Sequence, residues 1–266
     1  MKIVFSEYKS DYQNYIFPYA VWAFPEDNET PASLFAHGFL PATRDMDRYY
    51  MCRQIRVRLN AFSASSENRR ILRKGENINA RLIPIANFDY TPERRNSYKT
   101  YADIKFGKDI MTYKRLDSLF NSKIITHLLV FSDTEQDKEI GTATLFIESN
   151  ELVYYYYAFY DLNYYARNLG MYMMTAATKY FAEQNSTFLY LGTCYTKNAL
   201  YKIQFKGSEF FTGFSWSSDL RELKFLIKRE QQNINKHLLE TPEYCEKFYN
   251  NEIKQFAHKS SFKIRP

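Results

Sequence analysis

One stretch of the 266-residue chain gathers groups that acyl-transfer chemistry can use. Tyr160-Asp161 is followed by Arg167 and then by Asn168-Leu169-Gly170-Met171-Tyr172. An arginine three residues before a glycine, at a helix start, can turn several unpaired backbone amides toward a phosphate. Glycine suits such a place because the backbone must approach the anion closely. A glycine admitted by helix packing would give the same letters. Asp161 is the only acid between Glu151 and Glu183. It either caps the turn that follows or positions and deprotonates an attacking amine. Tyr195, Lys197, Tyr201 and Lys202 cluster beyond the next apolar run, where a donor could stabilise a developing oxyanion. Cys194 has no histidine base nearby in the sequence and reads as a small buried residue.

Particular elements must hold these groups. Residues 125–131, 140–147 and 152–159 read as three strands with short polar turns. Residues 163–184 carry Leu169, Met173, Ala176, Ala177 and Tyr180 at a helical period. A strand over 187–192, a short helix from about 197 and a long helix from 219 to about 239 complete the series. This order predicts an α+β protein with an acetyltransferase-like (GNAT-like) mixed sheet and flanking helices. Upstream, Ile55, Val57 and Leu59 alternate with Arg56 and Arg58, which predicts a half-buried strand with a basic exposed face. Ser65 or Ser66 caps a helix through Arg69-Arg70-Ile71-Leu72. Thr91-Pro92-Glu93 opens a helix to about 106, and a shorter one covers 109–120. Residues 1–122 form a smaller N-terminal α/β part, and 123–266 the acetyltransferase-like catalytic domain. With no Pro/Gly/Ser linker between them, the two are expected to pack closely.

Charge is concentrated. Between Arg53 and Lys74 seven cations face the single acid Glu67, and the resulting +6 equals the net charge of the whole chain. Such a window suits a polyanion such as nucleic acid, or else makes a solvated helix face and a charge-protected strand edge. A 45% hydrophobic and 25% charged composition is that of a globular protein and excludes disorder as the main state. The aromatic excess, 24 Tyr and 22 Phe, goes with other residues that have AT-rich codons, so it is not by itself a stacking platform. Cys52, Cys194 and Cys245 are scattered, and His37, His127, His237 and His258 lack ligand spacing, so neither metal nor cofactor is expected. Apolar runs such as 124–131 are too short to span a bilayer, and the N-terminus lacks a signal-like apolar stretch. A cytoplasmic protein with no membrane partner is expected.

Several segments together resemble the aminoacyl-tRNA–protein transferases, the family of arginyltransferase and bacterial leucyltransferase. Tyr50-Met51-Cys52-Arg53-Gln54-Ile55-Arg56-Val57-Arg58-Leu59-Asn60-Ala61-Phe62 is similar to the family's Cys-x-Pro-x-Arg stretch ending in Phe. The stretch Ser65-Ser66-Glu67-Asn68-Arg69-Arg70-Ile71-Leu72-Arg73-Lys74 resembles its Ser-x-x-x-Arg-Arg segment. Phe159-Tyr160-Asp161 and Asn168 to Tyr172 resemble its Tyr-Asp and Ser-Leu-Gly-x-Tyr elements. Leu189-Tyr190-Leu191-Gly192, then Tyr201-Lys202, Phe205, Glu209 and Trp216, follow its later order. The likeness runs over residues 34 to 216. Tyr49 and Gln54 depart from the family's cysteine cluster and proline, so metal dependence does not carry over. The resemblance implies transfer of an amino acid from charged tRNA to a primary amine, the N-terminus of a protein or peptide. It makes Asp161, Tyr195 and Lys202 the catalytic candidates. Arg56, Arg58, Arg69, Arg70, Arg73, Tyr160, Arg167, Gly170 and Tyr201 become the substrate-binding ones. An acyl-CoA-dependent N-acyltransferase and a non-catalytic RNA-binding paralogue are the alternatives.

Overall fold

The computed structural model describes residues 1–232 and 234–262, apart from the side chains of residues 165–167 and 253. The N-terminal elements are β1 (Lys2–Glu7), β2 (Tyr19–Phe24), α1 (Pro31–Ala36), β3 (Phe39–Pro41) and β4 (Tyr49–Met51). Next come β5 (Gln54–Arg58), α2 (Ser66–Arg73), β6 (Ile78–Pro84), α3 (Pro92–Phe106) and α4 (Tyr113–Phe120). The second half holds β7 (His127–Asp133), β8 (Lys138–Glu148), β9 (Leu152–Tyr160), α5 (Leu169–Glu183) and β10 (Phe188–Thr193). Then come β11 (Ser208–Phe211), β12 (Trp216–Ser217), α6 (Leu220–Arg229), α7 (Pro242–Tyr249) and α8 (Ile253–Lys259).

Local chemistry sets several of these boundaries. Ser65 accepts from the Asn68 amide while the Asn68 side chain accepts from the Ser65 amide, a reciprocal cap on α2. Thr91 and Thr112 each cap α3 and α4 through a side-chain oxygen, each cap contributing about 1 kcal/mol. Helix α5 begins at Leu169, later than the periodicity suggests, because a 3-10 turn (Leu162–Arg167) occupies the segment before it. Helix α6 stops at Arg229, short of the expected 239. Its buried stripe of Leu223, Leu226 and Ile227 has no apolar successor one turn on, where Glu230 and Gln231 stand.

The large sheet has the order β12-β11-β5-β10-β9-β8-β7-β6. Strands β6 to β9 form an antiparallel meander, α5 follows, and β10 returns parallel to β9. This is the acetyltransferase-like α+β arrangement. Helices α2 and α5 cover one face through Ile71, Met173 and Ala177, where α6, α7 and α8 add Leu223, Tyr244 and Phe256. Helices α1, α3 and α4 cover the other with Phe35, Tyr98 and Leu116. A second sheet, β1-β2-β4-β3, adjoins that side.

Strands β5 and β6 come from the first 122 residues, yet β5 lies between β11 and β10. The sheet therefore continues across the boundary placed at residue 122, and both cores draw on both halves. Strand β5 is also an interior strand, not a charged edge. Its alternation ends at Arg58, and Leu59 already belongs to a 3-10 turn.

Candidate functional site

Strands β9 and β10 pair at only two positions, Val153 with Leu189 and Tyr154 with Tyr190. Beyond Tyr154 they part. Strand β9 runs on to Tyr160 beside β8, and β10 continues to Thr193 beside β5, with which it is paired from Phe188 onward. Each strand carries an irregularity at the fork: β9 has an extra residue opposite Thr144 and Leu145, and β10 shifts register between Tyr190 and Gly192. Gly192 has φ +77, a left-handed conformation that favours glycine. Bulges bend a strand and re-aim its side chains. The result is a fork between two strands that starts at Tyr154, with Tyr155 and Tyr160 on its β9 arm.

Two side chains reach the β10 arm of this fork. A Cβ on Gly192 would lie 3.7 Å from Lys202 Nζ and 3.9 Å from Tyr154 Oη. Lys202 comes from the 3-10 turn Lys197–Ile203 and donates to the Thr193 carbonyl at 3.0 Å. Burial lowers its pKa, because a desolvated ammonium is disfavoured. On the β9 arm, Tyr155 is only 5% exposed and its hydroxyl has no hydrogen-bond partner among the described residues. Burial raises its pKa, and the Tyr201 and Tyr160 hydroxyls are close enough to add to the effect. Tyr160 also meets Tyr101 at 4.7 Å between ring centroids. An unpartnered buried hydroxyl costs free energy, and native structures hold few of them.

No protein-family model matches the chain. No curated protein matches it either. Solved structures do. The chain is similar to L-PGS from Bacillus licheniformis, at 14% identity and TM-score 0.38, over 53% of this chain and 44% of that one. It is similar to FemX at 11% identity and TM-score 0.38, over 61% and 59%. A GCN5-related N-acetyltransferase from Sphaerobacter thermophilus aligns at 14% identity and TM-score 0.34, over 60% and 45%. The chain thus spans about half the length of the structures it matches.

The other candidates fall into three places. Gly170, in the first turn of α5, lies under the Tyr160 ring, and a Cβ there would meet Tyr160 Oη at 2.8 Å. Close packing against Tyr160 therefore demands glycine here. Tyr160, Gly170, Tyr201 and Lys202 belong to one neighbourhood. The Arg167 side chain lies outside the described residues. Tyr195 stands at the mouth of β5, where its hydroxyl accepts from the Arg53 amide at 2.7 Å and its ring lies 4.9 Å beneath the Arg53 guanidinium. Arg53 is in turn paired with Glu230. Burial raises the Tyr195 and Cys194 pKa values, and a thiol so placed is a poor nucleophile.

Asp161 points away from the fork. Its Oδ2 accepts from Lys138 Nζ at 2.7 Å, and its Oδ1 accepts from the Asn163 amide at 3.0 Å and from Asn163 Nδ2 at 2.9 Å. This is the turn-capping geometry. Burial works to raise its pKa, and the Lys138 ammonium and Asn163 amide outweigh it, so the carboxyl sits below the ordinary value. With Glu93, Arg94, Lys138, Glu139 and Tyr160, Asp161 lines a cleft of about 440 Å³ on the α3 side of the sheet.

The arginines do not make one surface. Arg56 was expected on an exposed basic face and is instead 9% exposed. It is bonded to Glu209 at 2.8 Å and held 3.8 Å from the Trp216 ring centroid and 4.1 Å from that of Phe188. A guanidinium sandwiched in this way is closed to a phosphate. The sequence could not announce it, because Glu209 lies 153 positions away. Arg58 is exposed and 3.7 Å from the same carboxylate. On α2, Arg69 donates to the Ala64 carbonyl and Arg70 is paired with Glu67. Arg73 is exposed, with no acidic partner among the described residues.

Sequence reasoning also missed Tyr155 and Lys138. The run Tyr154 to Tyr157 was the available signal for the first, since four adjacent tyrosines cannot all find apolar burial on alternating faces of a strand. Among the described residues, no group of three or more His, Cys, Asp or Glu side chains is placed to hold a metal. Among the same residues, no helix is long and apolar enough to cross a membrane.

Proposed function

We propose that the chain transfers an amino acid from a charged tRNA to a primary amine, the N-terminus of a protein or peptide. This follows the arginyl- and leucyl-transferases it resembles in sequence. The amine nitrogen attacks the ester carbonyl at the 3′ end of the tRNA. The carbon–oxygen bond to the ribose breaks, an amide forms, and the amine's proton leaves to the ribose oxygen or to water. An α-amine has a pKa of about 8, so little base catalysis is needed. Positioning and charge stabilisation on the carbonyl oxygen supply most of the acceleration.

The observation that carries this reading is the Tyr155 hydroxyl, buried without a partner at a fork that also receives the Lys202 ammonium. A donor held ready where no described residue accepts from it suits an acceptor atom that arrives with substrate. Tyr155 and Lys202 therefore receive the developing oxyanion, with Tyr195 at the rim. Tyr160, Tyr201, Gly170 and Arg167 hold the acceptor end of the tRNA. Arg58, Arg69, Arg70 and Arg73 face its backbone. Asp161, ionised and paired with Lys138 in the α3-side cleft, holds the acceptor there, outside the fork, and does not serve as a strong base.

The test is incubation with a pool of radiolabelled aminoacyl-tRNAs and candidate peptides. The wild-type chain moves label to peptide. Tyr155→Phe lowers turnover on the order of 100-fold, as loss of one oxyanion donor does. It also raises the melting temperature by about 2–4 °C, because it deletes an unsatisfied buried group. Label that stays on tRNA with the wild-type chain overturns the reading.

A further inference from the structure

A second buried hydroxyl lies unsatisfied at a different place. Ser208, at the start of β11, is 8% exposed, and its Oγ has no hydrogen-bond partner among the described residues. It lines a cleft of about 350 Å³ together with Arg58, Lys206, Ser218, Ala61 and Ile203, and no acidic residue lines that cleft. The charges around it do not balance. Glu209 is the one carboxylate close to Arg58, at 3.7 Å, and it is already bonded to Arg56 at 2.8 Å. Lys206 has no acidic partner among the described residues. Asp219, beside Ser218 in sequence, is taken by Arg221 and by the amide at the start of α6. Two cations and two hydroxyls thus share a concave site, with the nearest carboxylate engaged elsewhere.

We infer that this cleft binds a phosphate group, with Arg58 and Lys206 supplying charge and Ser208 and Ser218 supplying hydroxyl donors. A phosphate offers acceptor oxygens to a guanidinium, an ammonium and hydroxyls at once, and charge-assisted bonds of this kind are the stronger ones. The position gives the phosphate a source. Ile203 closes the same 3-10 turn directly after Tyr201 and Lys202, so the cleft adjoins the end of that turn that also reaches the β9–β10 fork. Ala61 leads to Ala64, whose carbonyl holds the Arg69 guanidinium. A strand of RNA entering past α2 would therefore leave a backbone phosphate here on its way to the fork. Only this choice of source rests on the function proposed above.

The experiment measures binding, so it does not depend on turnover. Uncharged tRNA is titrated across a salt series into the wild-type chain, into Arg58→Gln/Lys206→Gln and into Ser208→Ala. In parallel, melting is followed with inorganic phosphate against chloride at equal ionic strength. Phosphate should raise the melting temperature of the wild-type chain and leave the double variant unmoved. The double variant should bind tRNA at least tenfold more weakly. Its log–log salt slope should be lower by roughly 0.7–0.9 for each phosphate no longer neutralised. Ser208→Ala should melt no lower than wild type yet bind about 3- to 10-fold more weakly. A phosphate shift abolished by the double variant, with tRNA binding unchanged, upholds the site and makes its ligand a small phosphate compound. A wild-type chain that responds to phosphate but ignores tRNA upholds the site and refutes the proposed donor. Equal phosphate response and equal tRNA affinity in all three proteins overturn the inference.

Discussion

Glu222 and Tyr155 are both buried polar side chains, and they are treated in opposite ways. Glu222, 3% exposed on α6, accepts from Tyr244 Oη at 2.7 Å, Tyr249 Oη at 2.9 Å and Ser217 Oγ at 2.7 Å. Two of these donors come from α7, so the carboxylate ties the C-terminal helices to α6. The Tyr155 hydroxyl, in a side chain almost as deeply buried, has no hydrogen-bond partner among the described residues. A fully satisfied buried group fixes one arrangement of a core, whereas an unsatisfied one is a standing cost that packing alone does not explain. Among the described residues only Gln54 Oε1, Tyr155 Oη and Ser208 Oγ are buried side-chain atoms in that condition. Two of the three sit where substrate is proposed to bind. On the proposed function, the contrast separates groups that hold the fold from groups that wait for a ligand.

Substitutions can break this contrast. Glu222→Ala should have the largest effect, a loss of about 3–5 kcal/mol of stability in denaturant titration. It leaves two tyrosine hydroxyls unpaired at about 1–3 kcal/mol each and opens a cavity. Per folded molecule, transfer activity should survive. Lys202→Met should do the reverse. Turnover should fall on the order of 100-fold, while melting holds or rises, because a partly desolvated ammonium is removed. The same lysine makes a pH prediction. The burial-lowered pKa means the cation is lost earlier than in free lysine as pH rises, so turnover should decline on an alkaline limb below pH 10.5. Lys202→Arg should restore activity and carry that limb to higher pH. Matching profiles for the wild-type chain and the arginine variant would remove Lys202 from the reaction.

The smallest expected effect sharpens the comparison at Asp161, which is satisfied yet assigned to the site. Its carboxyl sits below its ordinary value of 3.8, so its contribution is present above that pH and is lost as pH falls through the folded value. Lys138 is half exposed, so Asp161→Asn should cost about 1 kcal/mol or less at neutral pH, and the two proteins should converge in acid. If Asp161 holds the acceptor in the α3-side cleft, the acceptor KM should rise several-fold with donor affinity unchanged. Unchanged acceptor KM makes it a turn cap alone.

Elements defined by neighbours in sequence were legible. Ser65, Thr91 and Thr112 announce their helices because a cap acts over three residues, and the strand–strand–strand–helix–strand order followed from periodicity. Of the proposed site, only the local part, Tyr160, Gly170, Tyr201 and Lys202, could be named from the sequence. Arg56 looked exposed because alternation reports which face a side chain takes, not what covers that face, and its cover of Trp216 and Phe188 comes from distant strands. The orphaned state of Tyr155 depends on β10 leaving β9 just beyond Tyr154, which no spacing encodes.

The place of β5 has a consequence for how the chain comes to be folded. Residues 54 to 58 find their two neighbours at 188–193 and 208–210. During synthesis β5 must therefore wait through well over a hundred further residues before either partner exists, with Ile55 and Val57 uncovered meanwhile. A fragment ending at residue 122 would keep that strand with both edges open. The first of the two parts read from the sequence thus shares its sheet with the second, and Arg53, Arg56 and Arg58 meet Glu230 and Glu209 only after those distant residues have been made.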